Sequence, residues 1–356
     1  MTMRLIICSA LFASVAHASN TGILEAWKGF SSPEIMASGF THTMKELPLE
    51  GHVQNQTKGW SSSYWPSKEG GINNRWNAPK KVGFDYASPT LDQVKLMSLE
   101  ELSMLSPTEK YDLFTGSYDY PMKKLAASAA SKSAPDWAGI CHGWAPAAIN
   151  HNEPTPKLVT NPDGIQIPFG SADIKGLLSY YYAHHYESED GTHQMGLRCF
   201  FGKWMGGGRS CREDLNAGAF HIVITNMLGL RGEAFLVDVD RYKEVWNQPV
   251  SGFKSVVVGE GKPSAGAART AVKELRVKTE FFYVDESDNL TWEVAFGTKE
   301  QIIAKKDYAY NLEIDAAGKI VGGSWESEER PDFLWNKSKS PKIEGILNRV
   351  TELLND

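Results

Sequence analysis

Three residue types capable of nucleophilic acyl transfer occur in order along the middle of the chain: Cys141, His221 and Asp238. Cys141 stands in Trp137-Ala138-Gly139-Ile140-Cys141-His142-Gly143-Trp144-Ala145-Pro146, after a glycine and before small residues that can form a helix. A cysteine at a helix N-terminus meets the positive end of the macrodipole, which favours the nucleophilic thiolate. Pro146 is compatible with such a helix if it falls in the first turn. A thiolate nucleophile needs a base and a group that orients the base. Phe220–Thr225 and Ala234–Val239 flank a Gly229-Leu230-Arg231-Gly232 turn signal, a pattern that predicts a β-hairpin with His221 opposite Asp238. Asp240 points to the same face and is the alternative orienting group. Taken singly, each residue also has a plainer role, a packed histidine or a solvated turn acid; the combination carries the chemistry.

The compartment bears on the thiol. Arg4, the apolar run from Leu5 to Val15 and Ala16-His17-Ala18 read as a secretory signal peptide over residues 1–18, with the mature chain starting at Ser19. The run is too short to span a bilayer, and no later stretch approaches ~20 apolar residues. Of four cysteines, Cys8 leaves with the signal. Cys199 and Cys211 flank a glycine-rich turn and are expected to form a disulfide, with loop closure contributing ~3 kcal/mol in the chain-entropy model. Cys141 is then the leftover thiol, which in a secreted chain points to function.

The surrounding elements must hold these groups together. Acidic residues exceed basic ones, 43 to 37, which argues against a nucleic-acid partner. Eleven Trp, 13 Tyr and 15 Phe, with 32 Gly and 17 Pro, describe a loop-rich body containing strands rather than a helical bundle. Residues 19 to about 95 show turn signals and little periodicity, an irregular N-terminal region wrapping the core. Ser98-Leu99-Glu100-Glu101 and Ser106-Pro107-Thr108-Glu109 are capping boxes that start helices. Further helices are expected from Ser171 to about His184 and from Lys342 to Leu354, and hairpins about Asp285–Asn289 and Asp315–Gly318. The expected organisation is a signal peptide (1–18), a wrapping region (19–120, with a possible pro-segment at 19–95) and a catalytic region (121–356) with a β-rich C-terminal half.

A Cys followed by a strand His and then a carboxylate is the order of papain and of transglutaminase cores. One feature departs from papain-like proteases: Pro135, Asp136 and Trp137 stand where they keep an oxyanion-hole Gln, leaving the Trp137 indole N–H as the candidate donor. The segment Glu244-Val245-Trp246-Asn247-Gln248-Pro249-Val250-Ser251-Gly252-Phe253-Lys254 resembles the surface elicitor peptide of the oomycete calcium-dependent cell-wall transglutaminases, with Ser251 where that family has a basic residue. The resemblance extends to Trp60-Ser61-Ser62-Ser63-Tyr64-Trp65-Pro66, Leu105-Ser106-Pro107-Thr108-Glu109-Lys110, the Cys141 segment, Ser171-Ala172-Asp173-Ile174-Lys175, Gly218-Ala219-Phe220-His221-Ile222-Val223 and Arg330-Pro331-Asp332-Phe333-Leu334-Trp335. It implies an α+β fold with a papain-like cysteine protease or transglutaminase-type core, and a secreted enzyme that joins glutamine side chains to lysine or other primary amines. Cys141 is then the nucleophile, His221 the base and Asp238 the third member, with Asp173 and Asp240 as alternatives. It also implies Ca2+, at a site the sequence does not locate, and protein partners with accessible Gln and Lys, host or cell-wall proteins among them. The alternatives are a papain-like thiol hydrolase, acting as protease or glutamine deamidase, and an idle recognition protein displaying an exposed Trp246–Phe253 loop. Neither His184, His185 and His193 with Glu187, Glu189 and Asp190, nor Asp285, Asp288, Asp238 and Asp240, show the spacing of a zinc site or a calcium loop.

Overall fold

In the computed structural model, which describes residues 27, 29–55, 57–188, 191–199, 215–242 and 244–355, local capping chemistry starts the first helices. Helices α1 (Leu91–Val94), α2 (Leu99–Ser103) and α3 (Pro107–Phe114) each follow a Thr or Ser whose hydroxyl accepts the N–H three residues on, while Gln93, Glu101 or Glu109 reaches back. The starts expected at Ser98 and Ser106 are both found, the second with Pro107 at its first position. Then come α4 (Pro121–Ser128), α5 (Cys141–Asn150) and α6 (Ser171–His184), the last with the expected bounds. α5 lies hard against α6: a Cβ on Gly143 would stand 2.1 Å from the Ser179 carbonyl oxygen, so only glycine permits the approach. Pro146 falls in the second turn of α5 rather than the first, so the His142 carbonyl cannot receive the usual N–H there.

Before α1, the regular elements among the described residues are short 3-10 turns and β1 (Glu50–His52). The indoles of this stretch are not decoration. Trp60, Trp65 and Trp76 sit in the same hydrophobic core as α5 and α6, and the Trp60 N–H donates to the His151 carbonyl at 3.1 Å.

The remaining strands are β2 (Lys157–Thr160) and β3 (Gln166–Phe169), a hairpin of their own, and β4 (His193–Gly196), β5 (Leu236–Asp238), β6 (Asn247–Gly261), β7 (Ala271–Val284), β8 (Ile303–Asp315), β9 (Ile320–Trp325) and β10 (Phe333–Asn336). The main sheet runs β4-β10-β5-β6-β7-β8-β9, with every neighbouring pair antiparallel and β1 also on β6. Successive side chains of a strand point to opposite faces. Leu236, Phe333 and Trp335 therefore join the core of α5 and α6, whereas Val237 and Leu334 join a second core built on α7 (Ala217–Ile224). The sheet lies between two helical layers and keeps them apart.

The α+β class is found; several of the expected elements need correction. Residues 217–224 form α7, not the first strand of a hairpin, and only Leu236–Asp238 of the second run is strand. The Asn216 side chain caps α7 by accepting from the N–H of Gly218 at 2.8 Å and of Ala219 at 3.3 Å. A continuous apolar run buried on every side reads alike as strand or helix. The turn at Asp315–Gly318 does join β8 to β9, but β7 and β8 are linked by the long segment 285–302 instead of a tight turn. The closing helix is a 3-10 helix over Gly345–Leu353 that buries Leu347, Val350 and Leu353. The expected signal peptide lies outside the described residues, among which no helix is long and apolar enough to cross a membrane.

Candidate active site

Cys141 is the first residue of α5, as its sequence context predicts. The peptide before it is tied down: the Ile140 N–H donates to the Tyr64 carbonyl at 2.7 Å, and a Cβ on Gly139 would stand 2.3 Å from that same oxygen. The Gly143 and Trp144 N–H groups both donate to the Ile140 carbonyl at 2.9 Å, so only those of Cys141 and His142 stand at the helix start without a helical acceptor. Asn247, opening β6, donates from Nδ2 to Cys141 Sγ at 3.4 Å, and Sγ lies 3.7 Å from the Val245 carbonyl, to which the thiol can donate. Burial pushes the Cys141 thiol up to about 11; the Asn247 contact works the other way, and the nearby carboxyl groups of Glu286 and Asp238 raise it further. The field of the helix end opposes that rise.

Asp238 is the residue directly across from Asn247 in the β5–β6 register. Residues paired in this way project to the same face with Cβ atoms about 5 Å apart, so Asp238 shares the face that carries Cys141. It is fully buried, and its pKa is raised to about 9 by burial first and then by the neighbouring Asp332 and Asp240. Neither carboxyl oxygen makes a hydrogen bond of ordinary geometry among the described residues, although the backbone N–H groups of Trp246 and Asp240 partly favour the ionised form. At neutral pH Asp238 is a carboxylic acid, not a carboxylate. Beside it, Gln248 donates from Nε2 to Asp285 Oδ1 at 2.7 Å and to Glu286 Oε2 at 3.1 Å. Burial and Asp285 hold Glu286 well above the usual carboxylate range. The rings of Tyr64 and Trp246, edge to face at 5.2 Å, flank the segments that meet at Cys141.

His221 is elsewhere. It lies on α7, on the other side of the sheet, fully buried, with ring Nδ1 2.8 Å from the Tyr310 hydroxyl. Burial lowers it to about 3, so it is neutral. Among the described residues no hydrogen bond links it to Cys141 or Asp238, and the expected arrangement of His221 facing Asp238 across a hairpin is corrected: the chain there is helical and the sheet intervenes. Asp240 is half-buried, with Lys306 Nζ at 3.6 Å and its own carboxylate accepting the Tyr242 N–H. Asp173 is committed to a buried network, accepting from Lys110 Nζ at 2.6 Å, Trp76 Nε1 at 2.8 Å and the Gly170 N–H at 2.7 Å. Trp137 is half-buried and makes no hydrogen bond to Cys141 among the described residues.

Cys141 is a free thiol. Cys199 is buried, but Cys211 lies outside the described residues, and with it the expected pairing. The segment expected as an exposed loop begins a central strand instead: Trp246 is half-buried, and Asn247, Gln248 and Pro249 are buried in β6. Among the described residues no three His, Cys, Asp or Glu side chains converge on a point that could hold a metal ion. Sequence reasoning singled out Asn247 and Gln248 only as part of a surface segment; two uncharged amides directly before Pro249 and Val250 were the signal for a buried polar role.

This arrangement can form and break an acyl–sulfur bond: a thiol at a helix start, an amide N–H on the sulfur, and a neutral acid on the same face. Comparisons with known proteins place the chain at the level of family and fold. A search of curated proteins gave no match. Among solved structures, the crystal structure of the GP42 transglutaminase from Phytophthora sojae is similar, with a TM-score of 0.65 and 24% identity, covering 90% of this chain and 94% of that one; at that identity the likeness is one of fold. The family model described as transglutaminase elicitor matches residues 36–351, nearly the whole chain, which therefore belongs to the transglutaminase elicitor family.

Proposed function

We propose that the protein is a transglutaminase that joins glutamine side chains to primary amines through a thioester on Cys141, with Asp238 rather than His221 moving the protons. The observation that carries the reading is the line Cys141–Asn247–Asp238: nucleophile, sulfur-holding amide and buried neutral acid on one face of the sheet. In acylation, Sγ attacks the γ-carboxamide carbon of a glutamine. The thiol proton passes to one carboxyl oxygen of Asp238 while the proton on the other moves to the departing nitrogen, so the C–N bond breaks, ammonia leaves and Asp238 ends neutral. A lysine ε-amine in its free-base form then attacks the thioester carbon; Asp238 takes its proton and returns one to sulfur, and the isopeptide bond replaces the C–S bond. An acid with a pKa of about 9 is well matched to an ammonia leaving group. The N–H groups of Cys141 and His142, which open α5, supply the oxyanion donors, each worth ~3 kcal/mol.

A thiol opening a buried helix that packs on an antiparallel sheet supports a papain-like core, with a carboxylic acid in place of the histidine. The same reading includes secretion after a signal peptide, a Cys199–Cys211 disulfide, and protein partners that expose Gln and Lys. The described residues offer no cluster suited to calcium, so no step is routed through it; rates measured in calcium and in chelator test the dependence that the family resemblance implies. A pro-segment reaching residue 95 would take Trp60, Trp65 and Trp76 out of the main core, so we keep that region in the mature fold.

The test is incorporation of a fluorescent primary amine into casein by the purified protein and by Cys141→Ala. Incorporation lost with the thiol supports the proposal. Cys141-dependent ammonia release or casein cleavage without incorporation would replace it with a thiol hydrolase, and inactivity in all three assays would leave a recognition protein.

A further inference from the structure

Beside the candidate active site lies a cavity of about 250 Å3, lined in part by Tyr64, Trp65, Trp76, Glu69, Asn74 and Asp288. Tyr64 belongs to both places: its carbonyl accepts the Ile140 N–H just before Cys141 at 2.7 Å, and its ring meets that of Trp246. Cys141 does not line the cavity, so a group seated in it is not the group that reacts. Asn74 on its wall is only 8% exposed; its Nδ2 donates to Glu69 Oε2 at 3.4 Å, while its buried Oδ1 has no hydrogen-bond partner among the described residues. A buried acceptor without a donor is costly, and such atoms are rare unless a water, an ion or a ligand serves them. Trp65 holds φ at +51°, a left-handed backbone that bulky residues seldom adopt and that clusters at ligand clamps. The surroundings are acidic. Glu69 and Asp288 stand exposed on the wall, and burial, then Glu69, Asp288, Asp136 and Glu286, raise the Tyr64 phenol above its ordinary value. Of the nearby cations, Lys68 is held by Asp136 at 2.6 Å, and Lys81 is exposed on the cavity wall.

We propose that this cavity binds a primary alkylammonium group: a lysine side chain of the acceptor that neighbours the lysine attacking the thioester. The second half of that statement rests on the acyl-transfer reading above; the first does not. An apolar stem against aromatic rings and a charged end among carboxylates is the manner in which lysine packs, and indole faces attract cations. The ammonium carries three donors and no acceptor. Asn74 Oδ1 and the carboxylates of Glu69 and Asp288 give it acceptors, and the orphaned amide oxygen gains its missing donor. Other ligand classes fit less well. An anion would meet two carboxylates of its own sign, and an apolar group would leave Asn74 Oδ1 unpaired. Lys81 opposes the bound charge, but one exposed lysine stands against two carboxylates. The consequence for catalysis is a preference for acceptors carrying paired lysines, weakened by salt because both carboxylates are exposed.

Two measurements keep the cavity and the chemistry apart. The first is isothermal titration of the purified chain with n-butylammonium chloride, with no glutamine donor present. Binding is expected, weakened about five- to tenfold by Glu69→Gln combined with Asp288→Asn and strengthened by Lys81→Gln, while n-butanol does not bind. A gain from Lys81→Gln cannot come from misfolding. The second compares two acceptor peptides whose reactive lysine is flanked either by a second lysine or by norleucine. The two-lysine peptide is expected to show the lower KM at equal kcat. That advantage should vanish in the Glu69→Gln, Asp288→Asn variant, with ammonia release from the glutamine donor unchanged. Absence of butylammonium binding overturns the proposal, as does binding indifferent to all three substitutions, or equal KM for the two peptides in the unaltered chain. Incorporation of neither peptide, with butylammonium still bound as expected, would overturn the transfer reading and uphold the cavity as an ammonium site.

Discussion

Replacing Asp238 by Asn separates what this residue does for chemistry from what it does for the fold. A carboxyl group whose folded pKa is raised costs stability at every pH above its unfolded value, and the cost stops growing once pH passes the folded value. For Asp238 the two limits are the ordinary value of 3.8 and about 9. At pH 7 the gap already crossed is about 3 pH units, or ~4 kcal/mol at 1.36 kcal/mol per unit. Water penetration and local relaxation reduce such figures for a buried acid, which leaves ~2–4 kcal/mol. Asn fills nearly the same space and cannot ionise, so Asp238→Asn is expected to raise Tm by roughly 4–8 °C at pH 7 and by little at pH 4. It cannot relay an acidic proton, so amine incorporation should fall by ~10²–10⁴. The wild-type rate should also decline as pH rises through about 9, where Asp238 loses its proton. The assays are differential scanning calorimetry at the two pH values and amine incorporation from pH 6 to 10. A lower Tm for Asp238→Asn at pH 7 would mean that Asp238 is an ionised, stabilising carboxylate, and full activity in the variant would remove it from the mechanism.

Three further outcomes follow from the same geometry. Asn247→Ala removes the N–H on Cys141 Sγ and, since a hydrogen bond to a charged group contributes ~1.5–3 kcal/mol, kcat/KM should fall by ~10–150-fold together with the rate of iodoacetamide alkylation; an unchanged alkylation rate would detach Asn247 from the thiol. His221→Gln should keep its catalytic rate while lowering Tm, because His221 bonds Tyr310 in the second core; a folded, inactive variant would reinstate the histidine as base. Asp173→Asn leaves the Lys110 ammonium buried beside a neutral amide and should cost ~3–5 kcal/mol in urea unfolding; a smaller loss would show that Lys110 sheds its proton instead.

Local signals were the readable ones. Ser98 and Ser106 with Glu101 and Glu109 announce α2 and α3 because capping is decided within four residues. Gly139 and the small residues after Cys141 announce a cysteine at a helix start for a similar reason: close approach to Tyr64 and to α6 excludes larger side chains. The surroundings of the thiol were only half legible. Asp238, expected as the group that orients His221, lies across from Asn247 on the face of the thiol, whereas placing His221 there rested on taking Phe220–Thr225 for a strand. Those residues are apolar enough to be buried on all sides, and periodicity is silent when there is no exposed face. Which side of the sheet a residue faces depends on register, a tertiary property, and one residue of register moves a side chain to the opposite face. That is why Asn247, inside the segment read as an exposed loop, lies on the sulfur, and His221 does not.

The central claim is that Cys141 carries the acyl group. Intact-mass spectrometry of the protein mixed with a glutamine-containing donor peptide tests it directly. The predicted result is an adduct of the donor less ammonia, mapped to Cys141 and discharged by a primary amine into an isopeptide product. No adduct on a reduced, folded chain, or incorporation that persists in Cys141→Ala, would contradict it.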